Sequence, residues 1–98
     1  MIKEFSPHDR LVVALGQILQ EQRVLLGMSQ CQLAEASDFH RSYISDVERG
    51  YRNISLRNLS RLARALDLPV STALMQAERR IQFKFVKNNI EKAAAETF

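Results

Sequence analysis

Apolar residues recur at helical spacing through most of the chain and are interrupted by short polar breaks, a pattern that predicts five helices. Ser6-Pro7-His8-Asp9 is a helix start: a hydroxyl at the cap, proline at the first helical position and an acid in the positive first turn. Leu11, Leu15, Ile18, Gln22 and Leu25 or Leu26 follow on one face, and Gly27 suits a helix stop, so the first helix is expected from Pro7 to Leu26. Ser29, with Gln32 three residues on, is a capping box that opens a second helix reaching about Ala36, with Leu33 and Ala34 inward and Met28 as a staple. Ser37-Asp38 breaks it, Phe39 is the inward residue of the turn, and a third helix runs from about Arg41 to Arg49, ended by Gly50. After the loop Tyr51-Arg52-Asn53-Ile54, in which Ile54 points to the core, Ser55 caps a fourth helix. Its Leu56, Leu59, Leu62, Ala63 and Leu66 form one apolar face, and Leu68-Pro69 ends it. Ser71 is expected to cap a fifth helix carrying Ala73, Leu74 and Ala77.

The end of the chain is patterned differently. Ile81, Phe83 and Phe85 alternate, though less cleanly, with Gln82, Lys84 and Val86, which predicts a strand followed by a short helix from Asn89 through the alanines. The competing reading is that Ile81 and Phe85 continue the stripe of Leu74 and Ala77 on a fifth helix that simply runs on; the strand is preferred. A lone strand in a helical monomer has unpaired edges and needs a second copy or a partner. The sequence thus divides into a domain over 1–79 and an extension over 80–98 used for dimerisation or partner binding.

The second and third helices stand around the four-residue break Ser37-Asp38-Phe39-His40. In the third, Ile44 and Val47 lie three residues apart, and burying that stripe aims Arg41, Ser42, Ser45 and Asp46 away from the core. This is the layout of a helix-turn-helix, in which the first helix braces the second and the second enters the major groove of DNA.

With 98 residues, 46% of them hydrophobic, the chain has enough apolar material for one core and too little for a second. A net charge of +3 and a pI near 9.4 suit a polyanionic partner but are common among proteins that never touch nucleic acid, so charge decides nothing. The single cysteine, Cys31, excludes an intrachain disulfide and any multi-cysteine zinc site, and points to a reducing interior. Met1-Ile2-Lys3-Glu4-Phe5 carries an acid and no apolar signal core, and no apolar run approaches membrane-spanning length. A soluble cytoplasmic, nucleoid-associated protein with no membrane contact is expected. His8 and His40 are too isolated for a metal site or a catalytic base, no nucleophile stands beside a base, and no glycine-rich phosphate loop exists; neither an enzyme nor a metal or other cofactor is expected.

Three linked motifs carry a resemblance: Arg23-x-x-x-Gly27-Met28-Ser29-Gln30-x-x-Leu33-Ala34, then Tyr43-Ile44-Ser45-x-Val47-Glu48-Arg49-Gly50, then Leu59-x-x-Leu62-Ala63-x-x-Leu66. Over residues 11–77 the chain resembles the Xre/Cro/CI family of bacterial and phage repressors. Within it, His40-Arg41-Ser42-Tyr43-Ile44-Ser45 with Arg52-Asn53 is most similar to the small controller proteins of restriction–modification systems. The resemblance implies an all-α, five-helix lambda-repressor-like domain. It also implies a homodimeric transcription regulator that binds double-stranded DNA at a (pseudo)palindromic operator.

By position, the family's roles fall on Arg41, Ser42 and Ser45 as base-contacting residues and on Gln30, Tyr43, Arg52 and Asn53 as backbone-contacting ones. Arg23 and Glu48 match positions that pair as a structural ion pair. Arg57, Arg61 and Arg64 form a stripe opposite the apolar face of the fourth helix and read as a solvated face. Arg57 is the exception, since it stands near the first turn beside the Arg52 loop, within reach of a phosphate. Dimer contacts are expected from Val70, Leu74 and Ala77, extended by Ile81, Phe83 and Phe85. An alternative is an antitoxin-like adaptor whose C-terminal segment adds a strand to a protein partner.

Overall fold

The computed structural model describes residues 7–97, and the side chains of 10–82, 87 and 89–95. The described residues form five helices: α1 (Pro7–Leu25), α2 (Gln30–Ser37), α3 (Arg41–Glu48), α4 (Leu56–Ala65) and α5 (Val70–Thr97). The first four end in the same way. Past each end stands a residue in the left-handed region: Gly27 (φ 72°), Asp38 (φ 58°), Gly50 (φ 75°) and Asp67 (φ 50°). Its own N–H and that of the next residue turn back onto the helix's last carbonyls, as in Gly27 N to Val24 O (2.9 Å) and Met28 N to Arg23 O (3.0 Å). The same pair of bonds closes α2 at Ala34 and Glu35, α3 at Asp46 and Val47, and α4 at Ala63 and Arg64. These are Schellman closures, which satisfy orphan carbonyls and reverse the chain sharply. Glycine adopts the conformation freely, and aspartate is among the few other residues that tolerate it.

The reversals fold the helices onto one core. Leu19, Leu33, Ile44 and Leu62, one from each of the first four helices, are among its fully buried side chains together with Leu66, and α5 contributes Ala73 and Ala77. α1 packs against both α3 and α5, while α2 packs against α3 and α4. Gly16 sets the closeness of the first of these contacts. A Cβ there would collide with the carbonyl oxygen of Val47 and stand 2.9 Å from that of Glu48, so α1 meets the end of α3 backbone to backbone.

Several expectations need correction. Residues 81–97 are helical, and no strand occurs among the described residues. The alternation of Ile81, Phe83 and Phe85 is short, whereas Leu74, Ala77 and Ile81 keep helical spacing, and neither glycine nor proline interrupts the chain from Val70 to Thr97. The adaptor reading depended on that strand and loses its motive with it. Arg80, just before the disputed segment, pins α5 to α1 by donating to both carboxylate oxygens of Glu21 (2.6 and 2.9 Å) and to Gln17 (3.2 Å). These hydrogen bonds hold the Glu21 carboxyl below its usual range and raise Arg80. Ser71 lies inside the first turn of α5, because the carbonyl of Pro69 accepts the opening bond from Ala73 N. Leu56 and Leu25 are 70% and 78% exposed, and Leu19 holds the core position that α1 offers instead. Ala77 has no exposed surface, so it belongs to the core of its own chain and is unavailable to a second copy.

Candidate nucleic-acid interface

The start of α2 is fixed by reciprocal bonds. Ser29 Oγ accepts from Gln32 N (3.0 Å) and Gln32 Oε1 accepts from Ser29 N (2.8 Å). This sets the first turn of α2, and Gln30 within it, beside the start of α3. In α3 the buried side consists of Ile44, Val47 and Glu48, while Arg41 and Ser42 are exposed and Tyr43, Ser45 and Asp46 are half-buried. His40 occupies the position before the helix and makes no side-chain capping bond.

Glu48 is a charge inside the fold and is fully partnered. Arg23 donates to it through Nε (2.7 Å) and Nη2 (3.0 Å), and its remaining Nη1 donates to the carbonyl of Met28 (2.8 Å). The side chains are 11% and 3% exposed. A bidentate guanidinium–carboxylate pair satisfies both groups with fixed geometry, the arrangement a buried pair needs to offset desolvation. Gln30 joins the pair by donating from Nε2 to Glu48 Oε1 (3.0 Å), and its Oε1 accepts from Arg41 Nη1 (3.1 Å). A continuous polar chain therefore runs from the end of α1 through the buried carboxylate and Gln30 to the exposed guanidinium of Arg41.

A second assembly stands at the other edge of α3. Tyr43 stacks on Phe39 with centroids 4.8 Å apart, and its hydroxyl accepts from Asn58 Nδ2 of α4 (3.0 Å). The Arg52 guanidinium lies 5.6 Å from the Tyr43 ring centroid and 3.6 Å from an Asp46 oxygen. Asn53 and Arg57 are exposed.

Arg61 departs from the reading of its stripe as merely solvated. It donates to the carbonyls of Ser37 and Asp38 (2.8 Å each) and sits 4.0 Å over the Phe39 ring. A cation thus meets the negative end of α2 in the turn before α3, the favourable charge for a helix C-terminus. Helical periodicity places Arg61 opposite the leucines of α4, but only the tertiary path of the α2–α3 turn brings those carbonyls to it. Asn58 and Gln17 were missed for the same reason. Among the described residues no cluster of His, Cys, Asp or Glu is suited to a metal ion, and no helix is long and apolar enough to cross a membrane.

The sequence pattern of the helix-turn-helix family matches residues 19–72, and the chain belongs to this family, in its Xre/Cro/CI-type group of DNA-binding transcription regulators. Among its relatives is Control protein C.BamHI of Bacillus amyloliquefaciens, 56% identical over 61 residues that cover 61% of this chain and 75% of that protein. The crystal structure of the restriction-modification controller protein C.AhdI from Aeromonas hydrophila is similar, with 47% identity and a TM-score of 0.62 over 63% of this chain and 94% of that one. So is the restriction-modification controller protein C.Esp1396I, whose tetramer has been solved in complex with its natural 35-base-pair operator. It shows 26% identity and a TM-score of 0.67 over 74% of this chain and 95% of that one.

Proposed function

We propose that the protein is a transcription regulator of the restriction–modification controller type that binds a (pseudo)palindromic operator in double-stranded DNA as a homodimer. The observation that carries this reading is the division of α3: Ile44, Val47 and Glu48 are consumed by the core, and Arg41 and Ser42 project from its start. In this reading Arg41, Ser42 and Ser45 meet base edges, with the Arg41 guanidinium suited to a bidentate pair on guanine. Gln30, Tyr43, Arg52, Asn53 and Arg57 contact the sugar–phosphate backbone. They set register and supply salt-dependent affinity, while the base contacts supply choice.

One short helix offers too little surface for tight discrimination, which supports a dimer. Two copies related by a twofold axis present their α3 helices to half-sites roughly 34 Å apart. Val70, Leu74 and Ile81 on α5 are half-buried, and Met75 beside them is 44% exposed; together they form the apolar patch that a second copy covers. The side chains of Phe83 and Phe85, expected to extend it, lie outside the described residues. That C.Esp1396I has been solved as a tetramer on its operator supports an oligomer as the binding form.

Selection of bound duplexes from a randomised library tests the proposal directly, because enriched sequences report specificity, symmetry and spacing at once. A symmetric motif with half-sites about one helical turn apart is the expected result. Failure to enrich any sequence, or enrichment of a single asymmetric half-site by the dimer, would sink it.

A further inference from the structure

The hydrogen bond between Tyr43 and Asn58 has a direction with chemical consequences. Asn58 presents Nδ2, which carries hydrogens and has no acceptor capacity, so the contact occupies a lone pair of the Tyr43 hydroxyl and leaves its proton without an acceptor among the described residues. Phosphate oxygens accept hydrogen bonds from backbone-contacting side chains. A tyrosine whose proton were drawn inward would meet such an oxygen with lone pairs only.

We propose that Asn58 is a positioning residue for DNA binding: it fixes the polarity of the Tyr43 hydroxyl so that its proton is donated outward to a phosphate. The inference rests on the DNA-binding reading above and deepens it. Both ends of the contact are held in place. Asn58 lies in the first turn of α4, half-buried, and its backbone N–H is taken by Ser55 Oγ (3.1 Å), which leaves the side-chain amide out of the capping of the helix. The Tyr43 ring is stacked on Phe39, which in turn carries Arg61. Arg52, over the Tyr43 ring, brings a cation to the same edge of α3, so one phosphate group is offered a neutral donor and a positive charge together.

The test is a double-mutant cycle on the full-length chain, with a duplex enriched by the wild-type protein as probe and affinity read by fluorescence anisotropy. Asn58→Ala and Tyr43→Phe are each expected to weaken binding about 5-fold, the usual weight of one hydrogen bond, and the double variant to be no weaker than either alone. An equal loss from Asn58→Ala whether or not the Tyr43 hydroxyl is present, or no loss in either background, overturns the assignment. Where circular dichroism shows that Asn58→Ala loosens α4, the isosteric Asn58→Asp takes its place. A carboxylate only accepts, so it draws the proton inward, and the expected loss is larger in the wild-type background than in the Tyr43→Phe background; equal losses again overturn the role. A wild-type chain that enriches no duplex overturns the DNA-binding reading as well, whereas normal wild-type binding with an additive cycle removes only the role of Asn58.

Discussion

Individual side chains in this protein tie the core to the surface proposed to meet DNA, and Glu48 is the clearest case. Removing its cation by Arg23→Met leaves a carboxylate buried without charge compensation, which is expected to cost about 3–5 kcal/mol of stability in denaturant unfolding. Loss of DNA binding in that variant would not identify a contact, because the chain through Gln30 to Arg41 fails with it. Arg41→Ala is the cleaner probe, since Arg41 is exposed and its side chain bonds only Gln30 among the described residues. It is expected to cost about 1–3 kcal/mol on the preferred duplex and to relax selectivity at one base pair. Binding measured on a panel of single-base variants of the duplex checks this, and uniform weakening across the panel would refute a base contact. The pairing of Arg23 with Glu48 was legible through the family resemblance, and the exposure of Arg41 through the spacing of Ile44 and Val47. The Gln30 link was not, because an i, i+11 contact across a turn follows from the angle between two helices and leaves no periodic trace in the sequence.

Helix boundaries were the most legible part at the level of elements, because caps are local chemistry: Ser29 with Gln32, Ser55, Gly27 and Gly50 each act within a few residues of themselves. The failures came where local pattern and tertiary packing disagree. A three-residue alternation around Phe83 resembles a strand, but packing of Ala73 and Ala77 in the core and the Arg80 clamp continue a helix through it. That clamp has a pH signature. The Glu21 carboxyl titrates below its usual range, so the stabilisation is complete above about pH 5 and fades as pH falls through the lowered value. Glu21 is well exposed, and solvent screening keeps the effect small. Thermal unfolding of wild type and Glu21→Gln is therefore expected to differ modestly at neutral pH and to converge in acid as pH falls through the lowered value. A difference that persists in acid would show that the pair does not act through its charge.

For the whole molecule, the long dimension of 55 Å follows from α5, a 28-residue helix roughly 42 Å long. Affinity for DNA is expected to fall linearly in logarithm with the logarithm of salt concentration, and Arg52→Ala to weaken all sequences alike while reducing the slope by about 1 per protomer. A slope left unchanged would remove Arg52 from the phosphate contacts. The exposed start of α3 also has an evolutionary consequence. Because Arg41 and Ser42 take no part in the apolar packing, substitutions there are expected to leave the scaffold stable, so that in the proposed reading the operator addressed can change independently of the fold. In that reading a change of target needs only a new side chain at position 41 or 42, and Gln30, which bonds Arg41, is the fixed neighbour that a newcomer at 41 meets.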